Sequence, residues 1–466
     1  MNPITYSTPA KQSRPLRWAA VIGMALLWFY PCAAWCASEA TDIEMKAKEL
    51  IAAQLRKAKP GIGIVVGVLD DKDTRIITEG GSGFDGDTVF EIGSISKVFT
   101  STLLADMVGH GEVKLDDPIS QYLPESAKVP TRKGRAITLV DLATHTSGLP
   151  RMPDNASPKD PSNPYADYTV EQMYAFLSGY RLTRDIGEKY EYSNLGGGLL
   201  GHVLALKAGT SYEALVTSRI CRPLGMTDTR ITLTPEMTAR LAKGHDEAGK
   251  PVANWDIPTL AGAGALRSTA HDLLKFVSAN MGLVKTDLRT TLELTQNPRH
   301  EAGSSLMQIG LGWHIMKKTA GDVIWHNGGT GGYHSFIGFD RKGLRGVVVL
   351  VNSDTDIDKI GLQLLDPNSG APRQRVAIKL APGAFDSYVG QYELAPGVTL
   401  TMSRKGERLF TRMTGQSSLE IFPESETEFF LKAVDAQLTF EKNPQGEVTS
   451  VVLHQNGFDQ AAKKMK

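Results

Sequence analysis

The spacing of apolar residues changes several times along this chain, and each change marks a different kind of element. In IEMKAKELIAAQL, Ile43, Leu50, Ile51 and Leu55 recur on one side at helical spacing. GIGIVVGVLD and TRIITEG are rich in β-branched residues and are parted by a polar stretch at 70–73, which predicts a hairpin. The helical pattern returns over 98–108, where Phe99, Leu103, Leu104, Met107 and Val108 form a stripe that stops at GHG. Residues 110–320 read as helical and loop-rich, and strand signals resume at DVIWHNGG, YHSFIGFD and RGVVVLVNS. A sheet that opens before residue 80 and resumes after 320 predicts one discontinuous α/β unit, an antiparallel sheet flanked by helices with a large helical insertion. Its two halves must meet in space.

The two ends of the chain differ from this middle. Lys11, Arg14 and Arg17 precede an apolar run over 18–30 and then the small residues of PCAAWCASEA, so residues 1–37 are expected to be a signal peptide and the protein periplasmic or secreted. The alternative is an uncleaved anchor facing the periplasm, since 18–37 is almost long enough to span a bilayer. No other stretch reads as transmembrane, so no stable membrane span is expected after cleavage. Residues 41–366 are then the main domain, and 367–384, where Pro, Gly and Ser cluster, a linker. Over 385–466 seven short runs, VGQYEL, VTLTMSR, RLFTRM, SLEIF, TEFFLKA, AQLTFEK and VTSVVLH, predict a small all-β barrel or meander. That tail shows no nucleophile or phosphate loop, and packing, capping and ligand contact remain open roles for it.

Charge and cysteine content narrow the chemistry. Lys and Arg together number 51, as do Asp and Glu, so nothing points to nucleic acid or a strongly acidic partner. Of three cysteines, Cys32 and Cys36 lie in the leader, and the mature chain keeps Cys221 alone. It cannot form an intramolecular disulfide and reads as a buried apolar residue.

Three short motifs carry the candidate chemistry. In EIGSISKVFT, Ser94 and Lys97 stand three apart at a helix entrance, which sets an amine within reach of a hydroxyl and helix N–H groups near any developing oxyanion. For Lys97 to serve as a base its pKa must fall from about 10.4 towards 7, so the site must be buried and electropositive. The same spacing also suits an ordinary helix cap beside a solvated lysine. In YEYSNLGGGLLG, Tyr192 and Asn194 precede a glycine-rich helix start; a phenol beside an ammonium can shuttle a proton and an amide can orient a carbonyl. In WHNGGTGGYHSFIGF, His326, Asn327, Gly328 and Gly329 end a predicted strand, where glycines let a substrate backbone approach and Gly329 N–H can join Ser94 N–H in an oxyanion hole. A packed tyrosine and a tight glycine turn are the plain alternatives for these two. His145, in THTSGLP, is a rival histidine that nothing in sequence links to an acid, and it reads as loop structure. There is no G-x-S-x-G elbow, H-E-x-x-H, C-x-x-C or Walker loop, and no metal or cofactor is expected.

Taken in this order and spacing, the motifs resemble those of the penicillin-recognising serine hydrolases: class C β-lactamases, D-alanyl-D-alanine carboxypeptidases and endopeptidases, and related esterases. The likeness covers residues 45–365 and extends to DDPISQYLPE, LATHTSGLP, ICRPLGMTDT, GAGALRSTAHDLLKF and IGLGWHI. It implies the β-lactamase/DD-peptidase-like fold and a lipocalin-like β extension. It also implies that Ser94 is acylated, that Lys97 partners its proton transfer and that Tyr192 activates serine and then water. Asn194 would contact the acyl amide and His326 the substrate carboxylate. One departure bears on substrate: His326 stands where class C β-lactamases carry lysine, and a histidine is mostly neutral at pH 7. The expectation is an exported serine acyl-hydrolase of the D-Ala-D-Ala peptidase type that binds penicillin, acting on a small-molecule or peptide substrate. A β-lactamase, an esterase and a weakly catalytic cell-wall peptide-binding protein are the alternatives.

Overall fold

The computed structural model describes residues 32–56, 58–70, 73–246, 248–318, 321–342, 345–366, 377–381, 383–395, 398–414, 418–431, 436–455 and 458–465. The expected leader therefore lies almost wholly outside the described residues, as does much of the linker. The first described helix, α1 (Cys32–Leu55), starts earlier than the apolar pattern indicated. Among the described residues no helix is long and apolar enough to cross a membrane.

The predicted hairpin is present as β1 (Gly63–Asp70) and β2 (Asp73–Gly80), in register from Gly63 opposite Gly80 to Asp70 opposite Asp73. Three more strands of this sheet lie in the stretch read as helical: β3 (His300–Ser304), β4 (Met307–Ile309) and β5 (His314–Met316). The expected strands β6 (Val323–Gly329), β7 (His334–Asp340) and β8 (Arg345–Val351) complete an eight-stranded sheet of order β2-β1-β8-β7-β6-β5-β4-β3. All of its pairings are antiparallel. Val65, Val66 and Val68 of β1 pair with Leu350, Val349 and Val347 of β8, which is how the two ends of the domain meet.

Helix α2 (Ser96–Gly109) runs through the centre of the domain. Its residues from Ser96 to Met107 are all buried, so the predicted one-sided stripe understates it. Phe99 stacks on Phe276 of α4 (Ala270–Met281) at 4.4 Å between ring centroids, and Phe276 in turn on Trp313 at 6.2 Å. Burying one such aromatic side chain stabilises the fold by about 1.5–3 kcal/mol. Between α2 and α4 in sequence comes α3 (Asn194–Ala208), and after the sheet α5 (Asp358–Leu365) covers β7 and β8. Cys221 is buried and free, and loss of hydration pushes its thiol up to about 12, in keeping with an inert packing residue.

The tail is a closed barrel of eight strands with its own core around Tyr392, Leu409, Phe429, Leu438 and Phe440. Seven strands were legible; the eighth, Phe458–Lys464, closes the barrel against the first, with Tyr392 opposite Lys464.

Candidate active site

Ser94 lies in a single turn of 3-10 helix (Gly93–Ile95) that leads directly into α2, and Lys97 is the second residue of that helix. The amine sits within hydrogen-bonding distance of three oxygens: Ser94 Oγ at 2.9 Å, Asn194 Oδ1 at 2.8 Å and the Ala263 carbonyl at 2.7 Å. Lys97 is 2% exposed. Burial, reinforced by the charge of Arg151, holds its pKa well below the ordinary lysine value. The carbonyls of Asn194 and Ala263 can only accept, so a neutral amine spends its two N–H groups on them and turns its lone pair to the Ser94 O–H. Helix α3 comes close enough to enclose this lysine because residue 197 is glycine: a Cβ there would stand 3.0 Å from Lys97 Cε.

Tyr192 is brought in by a cradle made from the THTSGLP segment. Glu191 N–H donates to His145 O and Gly187 N–H to Thr146 O, both at 2.8 Å, so the two segments run side by side. Ser193 caps α3, with its Oγ 2.8 Å from Gly196 N, and its own N–H donates to His145 Nδ1 at 3.2 Å. Asn194 N–H donates to the Arg151 carbonyl at 2.9 Å. The Tyr192 ring then lies 4.8 Å from Lys97 Nζ and 4.5 Å from the His145 ring. Loss of hydration pushes the Tyr192 phenol up to about 12, against the opposing pull of a hydrogen bond with Ser94 and the charge of Arg151.

The third motif arrives on β6, which pairs with β5 only over Val323 to Trp325. From His326 onward that edge is open, so a strand inside the sheet offers a local edge at the site. His326 is 1% exposed, with its ring 6.2 Å from Tyr192 and 5.0 Å from His314. Its Nδ1 lies 2.5 Å from the Asn327 carbonyl, and a carbonyl only accepts, so Nδ1 carries the proton. Burial, with the neighbouring His314 and Lys97, keeps its pKa well below 6.5. His326 therefore presents a bare Nε2, which has no hydrogen-bond partner among the described residues, in a neutral ring. In this form the ring offers a lone pair that receives an N–H or O–H.

The Asn327 side chain takes the opposite direction. Side chains alternate along a strand, and Asn327 Nδ2 donates to Asp358 Oδ2 at 2.6 Å, on the face away from His326. Gly328 points back toward the serine turn and packs on Ile92, and Gly329 lines one cleft with Ser94, Asn194 and Ala263. The structure thus unites Ser94, Lys97, Tyr192, Asn194, His326, Gly328 and Gly329, and separates the Asn327 side chain from them. Sequence reasoning missed His314, Tyr190 and Arg151, and set His145 aside as loop. Tyr190 Oη lies 2.9 Å from His314 Nε2, and burial lowers His314 to about 4. For a metal, the described residues offer one group, His334, Asp356 and Asp358, with ligand atoms within 4.8 Å of one another. It lies around Asp358, where Asn327 and His334 Nε2 (3.2 Å) already occupy both carboxylate oxygens.

A hydroxyl, a buried amine and a phenol gathered beside an open strand end, on this sheet-and-helix frame, define a serine hydrolase. The chain belongs to the β-lactamase family, whose model matches residues 50–363, and a domain of unknown function, DUF3471, matches 374–465. It is 33% identical over 281 residues to the D-alanyl-D-alanine-carboxypeptidase/endopeptidase AmpH of Escherichia coli K12, covering 57% of this chain and 72% of that one. To penicillin-binding protein 4* of Bacillus subtilis it is 26% identical over 412 residues, covering 81% of this chain and 88% of that one. A class C β-lactamase structure superposes with a TM-score of 0.62 at 24% identity over 71% of this chain and 97% of that one, a likeness of fold.

His326→Lys is expected to raise the preference for leaving groups that end in a carboxylate over the matching amides by about tenfold, because a charge-assisted bond replaces a lone pair. The ratio of kcat/KM for the two substrates measures it. An unchanged ratio would place the residue away from the leaving group.

Proposed function

We propose that this protein is an exported D-Ala-D-Ala carboxypeptidase/endopeptidase that works through an acyl-enzyme on Ser94 and binds penicillins. The observation that carries this reading is the buried Lys97 amine bridging Ser94 Oγ, Asn194 and the Ala263 carbonyl. In the proposed reaction the neutral amine takes the Ser94 proton as Oγ attacks the scissile carbonyl, and the oxyanion settles between the Ser94 and Gly329 N–H groups. Tyr192 relays the proton to the departing amine, and water completes hydrolysis by the same route in reverse. Asn194 holds the acyl amide, and His326 Nε2 accepts a hydrogen bond on the leaving-group side. The carboxypeptidase/endopeptidase named above supports the peptide substrate, and the basic and apolar pattern of residues 11–30 supports export. Penicillin-binding protein 4* supports the penicillin reading.

Purified protein incubated with cross-linked muropeptides is expected to release D-alanine or cleave cross-links, and Ser94→Ala to do neither. Folded parent protein that is inert on muropeptides yet turns over nitrocefin rapidly would make it a β-lactamase instead. Turnover of p-nitrophenyl butyrate alone would make it an esterase.

A further inference from the structure

Arg151 follows the THTSGLP segment, outside every motif that the sequence reading singled out. Its main chain is fixed: the carbonyl accepts from Asn194 N–H at 2.9 Å and from Leu195 N–H at 3.2 Å, the first two residues of α3. The side chain is exposed, and its guanidinium carbon lies 5.2 Å from the centre of the Tyr192 ring. Among the described residues no ion pair links it to an acid; Glu191, one residue from Tyr192, pairs instead with Arg184 at 2.6 Å. Its charge nonetheless reaches Lys97, His145, Tyr165, Tyr190 and Tyr192, favouring in each the form with less positive charge.

An arginine with no acid paired to it, beside the site, is available to an anionic group of the substrate. The position of Arg151 says which part of the substrate carries that anion. Its own carbonyl accepts from the N–H of Asn194, the acyl-side contact. Tyr165 and Trp255, in edge-on contact at 5.1 Å, line the cleft together with Asn194 and give an acyl chain an aromatic wall. Arginine suits the task, since its planar fork grips a carboxylate through two parallel hydrogen bonds.

We propose that Arg151 is a specificity-determining residue that binds a carboxylate on the acyl half of the substrate, so that the enzyme prefers peptides bearing a free carboxylate on the N-terminal side of the scissile bond. This rests on the reading of Ser94 as the acylated residue and of Asn194 as its acyl-side contact.

Benzylpenicillin and carbenicillin test it, because they differ by one carboxylate on the acyl side chain and share the same leaving half. The ratio of their rate constants for acylating Ser94, carbenicillin over benzylpenicillin, is measured for the parent, Arg151→Gln, Arg151→Lys and Arg151→Glu by mass spectrometry of the intact protein. Relative to the parent, the ratio is expected to fall about tenfold in Arg151→Gln and further in Arg151→Glu, and to stay within about threefold in Arg151→Lys. A parent acylated by both drugs whose ratio is the same in all four proteins overturns the assignment while leaving the acyl-enzyme reading intact. A folded parent acylated by neither sinks the acyl-enzyme reading, and the assignment with it.

Discussion

Lys97→Ala lowers the rate at which Ser94 takes an acyl group by about 10²–10⁴-fold, the range typical of a removed general base. The size follows from the absence of a substitute. Tyr192, the other group near the serine, has its phenol pushed up to about 12 by loss of hydration, so it keeps its proton at neutral pH. His145 and His326 have low pKa values, and each spends one ring nitrogen on backbone, on Ser193 N–H and the Asn327 carbonyl. The lysine is the group whose depressed pKa leaves a neutral amine 2.9 Å from the hydroxyl. The sign of the pH dependence follows: kcat/KM rises with pH as Lys97 loses its proton, and this limb disappears in the alanine variant. Tyr192→Phe retains the limb at lower amplitude. Stopped-flow labelling with a fluorescent penicillin across pH measures both, with thermal melting to show that each variant is folded. Near-parental labelling of Lys97→Ala would refute the role.

The second large effect falls on a residue with no side chain. A Cβ at Gly328 would stand 2.0 Å from the Ile92 carbonyl and 2.6 Å from Ser335 Oγ, which itself donates to Ile92 O at 2.9 Å. Ile92 begins the turn that carries Ser94, so Gly328→Ala pushes β6 away from the nucleophile. Overpacking of this kind costs about 1–3 kcal/mol in stability, and a displacement near 1 Å at a reacting centre costs about 100-fold in rate. Gly329→Ala is the control, because its nearest non-neighbour atom, Tyr333 O, is 4.0 Å from the added carbon. Its stability is expected to stay within about 0.5 kcal/mol of the parent. Denaturant melts and kcat/KM for both variants check the pair, and equal losses of stability would show that the Ile92 contact does not govern the site.

What could be read from sequence follows the range of each physical signal. The β1–β2 hairpin and α2 were legible because their periodicity extends over several residues and glycine or polar turns bound them. Strands β3 to β5 were not: each has three to five residues, and most of β3 is exposed, so neither alternation nor an apolar run announces it. The eighth barrel strand hides similarly in FDQAAKK, which pairs along its length with Val448–Gln455 yet carries two terminal lysines. Within the site, the serine, lysine, tyrosine and strand-end glycines were legible as motifs. The opposite direction of Asn327 was implied by strand alternation, but the motif was read as a unit. Arg151, His314 and Tyr190 join the site only through chain crossings, the Arg151 carbonyl on α3 and Tyr190 on β5, and no local pattern encodes those.

The point at which a penicillin becomes attached tests the acyl-enzyme on Ser94 most directly. Mass spectrometry of the protein after exposure to benzylpenicillin, followed by proteolytic mapping, is expected to find one adduct, on the peptide containing Ser94, and none in Lys97→Ala over the same interval. An adduct on any other residue, or a folded parent with no adduct at all, would contradict it.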